Sequence, residues 1–328
     1  MSLTSLTLSR PIQDLGIIEE STKTPVWHNG RLVAWEDALI HIGTHAVNFG
    51  SAVFEEMRFY ETVDGPALFR LDAHLERLAE SLLALEMELP SSMDELRQAC
   101  IDVAKDSQVA AGGLRVQVQF GLSELSLHAT SVVDATVMFR PLREDGGVRE
   151  LSLATSGIER LSPHAAHIEA LVTGHYANAY YNHLWARKRG LDEAVMLDVH
   201  GNVAETSAAN LFYVKDKHLF TPEAGCLVKG VTRDSVLRLA ADVDIPTGET
   251  TVSVEDLQDA DEIFLTATFT EIEPVVHYDE RPVGDGHTGP VTRRIADLYR
   301  RAVTGKLPAY GRWLTSLEPS ATLGGLRS

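Results

Sequence analysis

The chain has 328 residues, 44% of them hydrophobic and 23% charged, with a formal net charge of −18; this is ordinary globular composition, and the length suits two domains or one large α/β unit. So acidic a chain makes nucleic acid and anionic membrane surfaces poor partners, because its own field repels phosphates. Cys100 and Cys226 are too few for a disulfide framework, no apolar run approaches a membrane span, and the opening MSLTSLTLSR has no charged start leading into a long apolar stretch, so no signal peptide and a cytoplasmic protein are expected.

In chain order, PVWHNGRLVAWEDALI (25–40) reads as two short strands around an Asn-Gly turn. ALFRLDAHLERLAESLLALEM (67–87) starts extended and becomes helical from Asp72, a plausible N-cap, with Leu75, Leu78, Leu82 and Leu85 on one face. Ser91 or Ser92 opens a second helix, and GLRVQVQFGL and DATVMFRPL alternate like strands. The charged, Gly-rich REDGGVR (143–149) marks a boundary. Beyond it come a strand, an irregular polar loop (159–168) and the helix YANAYYNHLWARKRG, with Gly190 as its stop signal. Strands around a turn at 200–202, a helix after GVTR, the strand EIFLTAT and the helix 292–305 follow. The expectation is an α/β (α+β) protein of two domains: 1–146, smaller, with an N-terminal extension; 150–306, larger; and a loose tail, 307–328. The hairpins argue against a purely parallel sheet.

Four separated stretches carry the chemistry: FGSAVFEEMRFY (49–60), VTGHYAN (172–178), LDVHGNVAETSAANLF (197–212) and LVKGVTR (227–233), with TATFTEIEPV (266–275) behind them. A phosphorylated ligand needs backbone N–H groups at a helix start, hydroxyls and a cation. Gly230, Val231 and Thr232 sit where a helix should begin. In order and spacing the five motifs resemble the fold-type IV pyridoxal phosphate enzymes over about residues 27–305. Branched-chain amino acid aminotransferases are the nearest members; D-amino acid aminotransferase and aminodeoxychorismate lyase are more distant.

The resemblance implies a larger domain of β-barrel-like form, a site in the cleft between the domains, and a homodimer. It implies pyridoxal or pyridoxamine 5′-phosphate as cofactor, and an amino acid or 2-oxo acid-like ligand. It assigns the phosphate to Arg58, to Gly230 and the amides of Val231 and Thr232, and to the hydroxyls of Thr232 and Thr268. Glu205 matches the carboxylate beside the pyridine nitrogen, which keeps it protonated as an electron sink. Tyr176 matches the tyrosine at the phenolic oxygen.

The family's Schiff-base lysine, which also shuttles the substrate proton, falls at Leu171. Leucine can neither form an imine nor carry a proton, so any cofactor would be held non-covalently. Lys229 is the one lysine inside a motif and is expected to face solvent. Other departures lie on the substrate side. Glu56 stands at a family glycine, Gly113 at a tyrosine and Phe269 at a small residue, while Arg115 keeps an arginine that helps recognise the substrate carboxylate. Thr206 and Ala209 depart after Glu205. Three readings follow: a naturally divergent lysine-less member with altered chemistry on an amino-acid-like or phosphate-bearing ligand, an ordinary aminotransferase carrying a Lys-to-Leu knock-out, or a non-catalytic binding or scaffold relative. His175, His167, Glu169 and Glu56 are candidates to move protons, with helical geometry turning His175 away from a ring faced by Tyr176. His41 and His45 have i,i+4 spacing but no third ligand, so no metal is expected.

Overall fold

The computed structural model describes residues 19–127, 132–142 and 149–317. The first part supplies α1 (Glu19–Lys23), β1 (Val26–His28), β2 (Arg31–Val33), α2 (His45–Phe49), β3 (Ala52–Thr62), β4 (Gly65–Phe69), α3 (Leu71–Ala84), α4 (Met93–Asp106), β5 (Gly112–Phe120) and β6 (Val133–Arg140). The second supplies β7 (Leu151–Thr155), α5 (Tyr176–Arg187), β8 (Glu193–Leu197), β9 (Val203–Thr206), β10 (Asn210–Lys215), β11 (His218–Pro222), α6 (Val231–Ala241), β12 (Thr247–Thr250), α7 (Val254–Gln258), β13 (Glu262–Ala267), β14 (Glu271–Tyr278), β15 (Arg281–Pro282), α8 (Pro290–Val303) and β16 (Leu314–Ser316).

Local chemistry explains most of these elements. Asn29 and Gly30 both take positive φ, 45° and 88°, as the tight turn between β1 and β2 requires, and they set the pairing Val26↔Val33. Ser92 caps α4 through a reciprocal capping box with Glu95. After α5 the chain turns at Gly190, φ 73°, where the Leu191 amide donates back to the Ala186 carbonyl. Asp72 is not the cap of α3. Arg70, in the left-handed region, precedes the helix, and Asp72 lies in its first turn, where a carboxylate favours the positive helix end. Leu75, Leu78 and Leu82 bury the predicted face, each contributing about 1.5–3 kcal/mol of transfer free energy at most.

Among the described residues, two sheets carry the molecule. Seven strands in the order β16-β4-β3-β5-β6-β1-β2 form the first, whose neighbours pair antiparallel. Against it pack α3 and α4, closing a core around Met57, Phe59, Leu78, Leu96 and Val116. The second runs β12-β11-β10-β13-β14-β7-β8-β9, with β15 beside β14. It mixes parallel pairs (β7 with β8 and β14, β11 with β12) and antiparallel ones. Its last strand, β9, returns against β10, so the sheet curls around a core of Leu153, Leu211, Leu265 and Tyr278.

The region beyond residue 306 is not simply a loose tail. Trp313 is buried, and β16 adds to the edge of the first sheet beside β4. A third core therefore holds Phe69 and Trp313 together with Phe212, Leu239 and Tyr299, joining the two halves. The periodicity-poor residues 307–317 carry no helix or strand signal because their order comes from this docking. Residues 318–328 and the expected boundary at 143–148 lie outside the described residues. No described helix is long and apolar enough to cross a membrane.

Candidate active site

A cleft of about 250 Å³ opens between the halves. Leu171 forms part of its wall and is 5% exposed. Its amide donates to Ser81 Oγ at 3.1 Å, and its carbonyl accepts from the Phe54 amide at 3.0 Å. Gly174 is tied to the Gly50 carbonyl at 3.0 Å. The 171–176 segment is thus pinned to β3 and α3 before α5 begins. Among the described residues no lysine lines the cleft. Lys229 pairs with Glu169 at 3.0 Å, both about half exposed, and faces a separate surface cavity that also holds His167.

At one end of the cleft, β9 presents Glu205. Its carboxylate is buried and accepts three hydrogen bonds: from Arg160 Nε at 2.7 Å, from Asn210 Nδ2 at 3.2 Å and from the Val228 amide at 3.1 Å. Burial pushes the carboxyl above its ordinary value, and the Arg160 guanidinium opposes it. Because every partner donates, the arrangement is that of an ionised carboxylate. Tyr176 stands at the first turn of α5, edge-on to Phe54 with 4.9 Å between ring centroids. Burial, then the charge of Glu205, raises its phenol, so it is protonated at neutral pH. His175 also lines the cleft, contrary to the expectation that it turns away, because residues 173–175 form a separate 3-10 turn before α5. Its Nδ1 is buried without a partner, and burial followed by Arg160 lowers it.

The helix α6 starts at Gly230 with no side-chain cap, so its first amides stay available to an anion. A side chain at 230 would collide with Asn210 Oδ1. The glycine therefore makes room for the asparagine that ties Glu205 to the Val228 carbonyl, a requirement sequence reasoning had ascribed to the ligand alone. Val231, Thr232 and Thr268 line the cleft. Arg58 does not: its Nη1 donates to the Phe269 carbonyl at 2.9 Å and pairs with Glu271 at 2.9 Å, holding the Thr268–Glu271 turn from outside the cleft wall. Its Nε, and the hydroxyl of Thr266 in the cleft wall, are buried without partners. An uncapped helix start with unpartnered donors beside it fits a phosphate.

The other end is built differently. Glu56 lies between Arg115 at 3.2 Å and Arg140 at 2.5 Å. Arg115 rests over the Phe54 ring at 3.7 Å, and Arg140 over the Phe269 ring at 3.9 Å. A side chain on Gly113 would collide with Phe269 Cζ. The two departures at 113 and 269 are therefore one change: an aromatic ring enters from the β13–β14 turn and fills the space over β5. Away from the cleft, His41 accepts from the Gly43 amide and His45 bonds Ser51 at 2.6 Å; among the described residues no group of three or more potential metal ligands forms.

Arg77, Arg140, Arg160 and Asn210 are cleft residues that sequence reasoning missed. Arg160 lay in a loop with no periodic signal, and Arg140 at the end of a strand; each is recognisable only through its partner, Glu205 or Glu56.

The fold and this cleft define a class. Residues 52–278 match the model of the class IV amino-transferases, and the chain belongs to that family, whose cofactor is pyridoxal or pyridoxamine 5′-phosphate. It is 33% identical to the branched-chain-amino-acid aminotransferase of Pseudomonas aeruginosa over 298 residues, 89% of this chain and 97% of that protein. Identity to the enzyme of that name from Escherichia coli K12 is also 33%, over 89% of this chain and 97% of the relative. A solved branched-chain amino acid aminotransferase complexed with N-(5′-phosphopyridoxyl)-L-glutamate, from the source abbreviated T.th., superposes with a TM-score of 0.86 at 34% identity, covering 90% of this chain and 99% of the other. The Escherichia coli structure gives 0.87 at 32%, covering 90% and 100%.

Proposed function

We propose that the chain is a lysine-less branched-chain aminotransferase-like protein that holds pyridoxal or pyridoxamine 5′-phosphate without a covalent link. In this reading it acts on an amino acid or 2-oxo acid-like ligand by chemistry other than standard transamination. One observation carries this. Leu171 occupies the cleft wall where the family resemblance sets the lysine, no described lysine lines the cleft, and yet the phosphate end and Glu205 remain fully built.

When bound, the cofactor supplies an electron sink for chemistry at the amino-bearing carbon. Val231, Thr232 and Thr268 would hold its phosphate, with Arg58 bracing the turn behind. Glu205 would face the ring nitrogen. Three of its roughly four acceptor positions are already filled, so little capacity remains for that nitrogen. Arg160 thus competes with the ring for the same charge. Tyr176, protonated, donates. Leu171 contributes an apolar surface and excludes water. His175, neutral near pH 7 with an unpartnered Nδ1, is the proton carrier favoured by its position.

The assembly is a homodimer in a cytoplasmic setting. Exposed Ile42, Leu122, Leu125 and Leu127 lie along two adjoining segments, the apolar surface a second copy would cover.

Equilibrium dialysis with each cofactor form, followed by borohydride reduction, tests the reading. Reversible binding with no pyridoxyl label on any lysine is expected. A label on Lys229, or no binding of either form, overturns it.

A further inference from the structure

The carboxylate of a ligand needs an arginine with donors to spare, and the cleft's cations differ in this respect. Arg77 spends Nε and Nη2 on Glu55 at 2.7 and 2.8 Å, and Nη1 on the Lys229 carbonyl. Arg160 is committed to Glu205 and the Ile168 carbonyl. Arg115, the residue the family resemblance points to, lies outside the cleft wall; its guanidinium covers Phe54 and bonds Glu56. Arg140 lines the cleft and is 49% exposed along its side chain, and among the described residues its guanidinium bonds only Glu56, through Nη1. A guanidinium has five N–H donors, so most of its fork is free.

We propose that Arg140, rather than Arg115, binds the carboxylate of the amino acid or 2-oxo acid ligand in this cleft. Three features prepare it. Arg140 stands directly across from Gly113 in the β5–β6 ladder. The missing side chain at 113 admits the Phe269 ring, and the guanidinium lies on that ring at 3.9 Å, which fixes its plane before a ligand arrives. Glu56 holds one edge of the fork at 2.5 Å. One carboxylate between two guanidinium groups leaves a surplus positive charge, which a ligand carboxylate would neutralise in a bidentate pair. Glu56, Gly113 and Phe269, which as separate departures look like losses of substrate recognition, form together the mounting of a relocated arginine.

The inference rests on the reading of the cleft as an amino-acid-like site, and the test separates the two. Calorimetric titration of the protein saturated with pyridoxamine 5′-phosphate compares 4-methylvaleric acid with its uncharged amide. We expect the acid to bind about tenfold or more tightly than the amide, since a charge-assisted bidentate pair replaces a neutral contact. Arg140→Gln should erase this preference, Arg140→Lys should restore part of it, and Arg115→Gln should keep it. Cofactor affinity of Arg140→Gln, followed by fluorescence, should stay within about twofold of wild type, as expected for a residue remote from the phosphate end. A preference that survives in Arg140→Gln, or a wild type with no preference for the acid, overturns the proposal. The titrations are repeated without cofactor. A wild type that fails to take the cofactor refutes the functional reading, and the acid–amide comparison still decides the role of Arg140.

Discussion

The two ends of the cleft have diverged in opposite ways. At the end formed by β9 and the start of α6, one residue is gone, Leu171 for a lysine, while the supporting groups remain interlocked: Gly230 yields to Asn210, and Asn210 and Arg160 both bind Glu205. At the end formed by β3, β5 and the β13–β14 turn, several positions differ and they fit one another: Glu56 joins two arginines, and Phe269 fills the room left by Gly113. Complementary changes distinguish a rebuilt region from a decayed one. Unrelated losses would leave unpaired charges or voids, each costing stability.

The contrast can be broken most forcefully at Arg160. Arg160→Met strands the Glu205 carboxylate in a buried site. Removing one partner of a buried pair costs about 3–5 kcal/mol, read as a fall in the urea midpoint. An unchanged midpoint would mean that Asn210 and the Val228 amide suffice. The second test sharpens the comparison at the other end. Gly113→Tyr should destabilise by about 1–3 kcal/mol through overpacking against Phe269, and Phe269→Ala in the same chain should recover much of that loss. Additive effects of the two substitutions would show that they do not share one space.

A third test uses pH. Burial pushes Glu55 up, but the Arg77 guanidinium and the hydrogen bonds from Arg77 and His74 outweigh it and hold its carboxyl below the usual range. Burial likewise lowers His74, against the pull of Glu55. Both groups therefore bind protons more readily when unfolded. Their stabilisation is present at neutral pH and is lost on acidification, His74's share from below its ordinary value of 6.5 and Glu55's from below 4.5. Urea midpoints that rise from pH 7 to pH 4 would contradict this. The smallest effect is expected at Lys229. Lys229→Gln breaks only an exposed pair with Glu169, worth about 0.2–1 kcal/mol, and should leave cofactor binding intact.

How much of this was legible in the sequence follows from the kind of interaction involved. The helices α3, α4 and α6 and the Asn29-Gly30 hairpin are written locally, in periodicity, caps and turn residues. So were the positions of Leu171, Tyr176 and Glu205, because motif order survives at this level of identity. Residues 307–317 were not legible, since their strand exists only through its pairing with β4. Arg160 and Arg140 were not legible either: each is defined by a carboxylate 45 or 84 residues away along the chain. Gly113 and Phe269 were noticed as separate departures, and only their contact reveals that they are coupled.

The central claim is that the cleft has been rebuilt around the missing lysine, and Leu171→Lys tests it most directly. The variant restores a nucleophile and proton shuttle where the wall is already pinned by Ser81 and Phe54. We expect it to take a borohydride-stable pyridoxyl label at residue 171 yet fail to transfer amino groups between glutamate and a branched 2-oxo acid, because Phe269 and the Glu56–Arg140 pair shape the substrate end differently. Robust branched-chain transamination by this single variant would contradict the claim and leave an ordinary aminotransferase that lacks only its lysine.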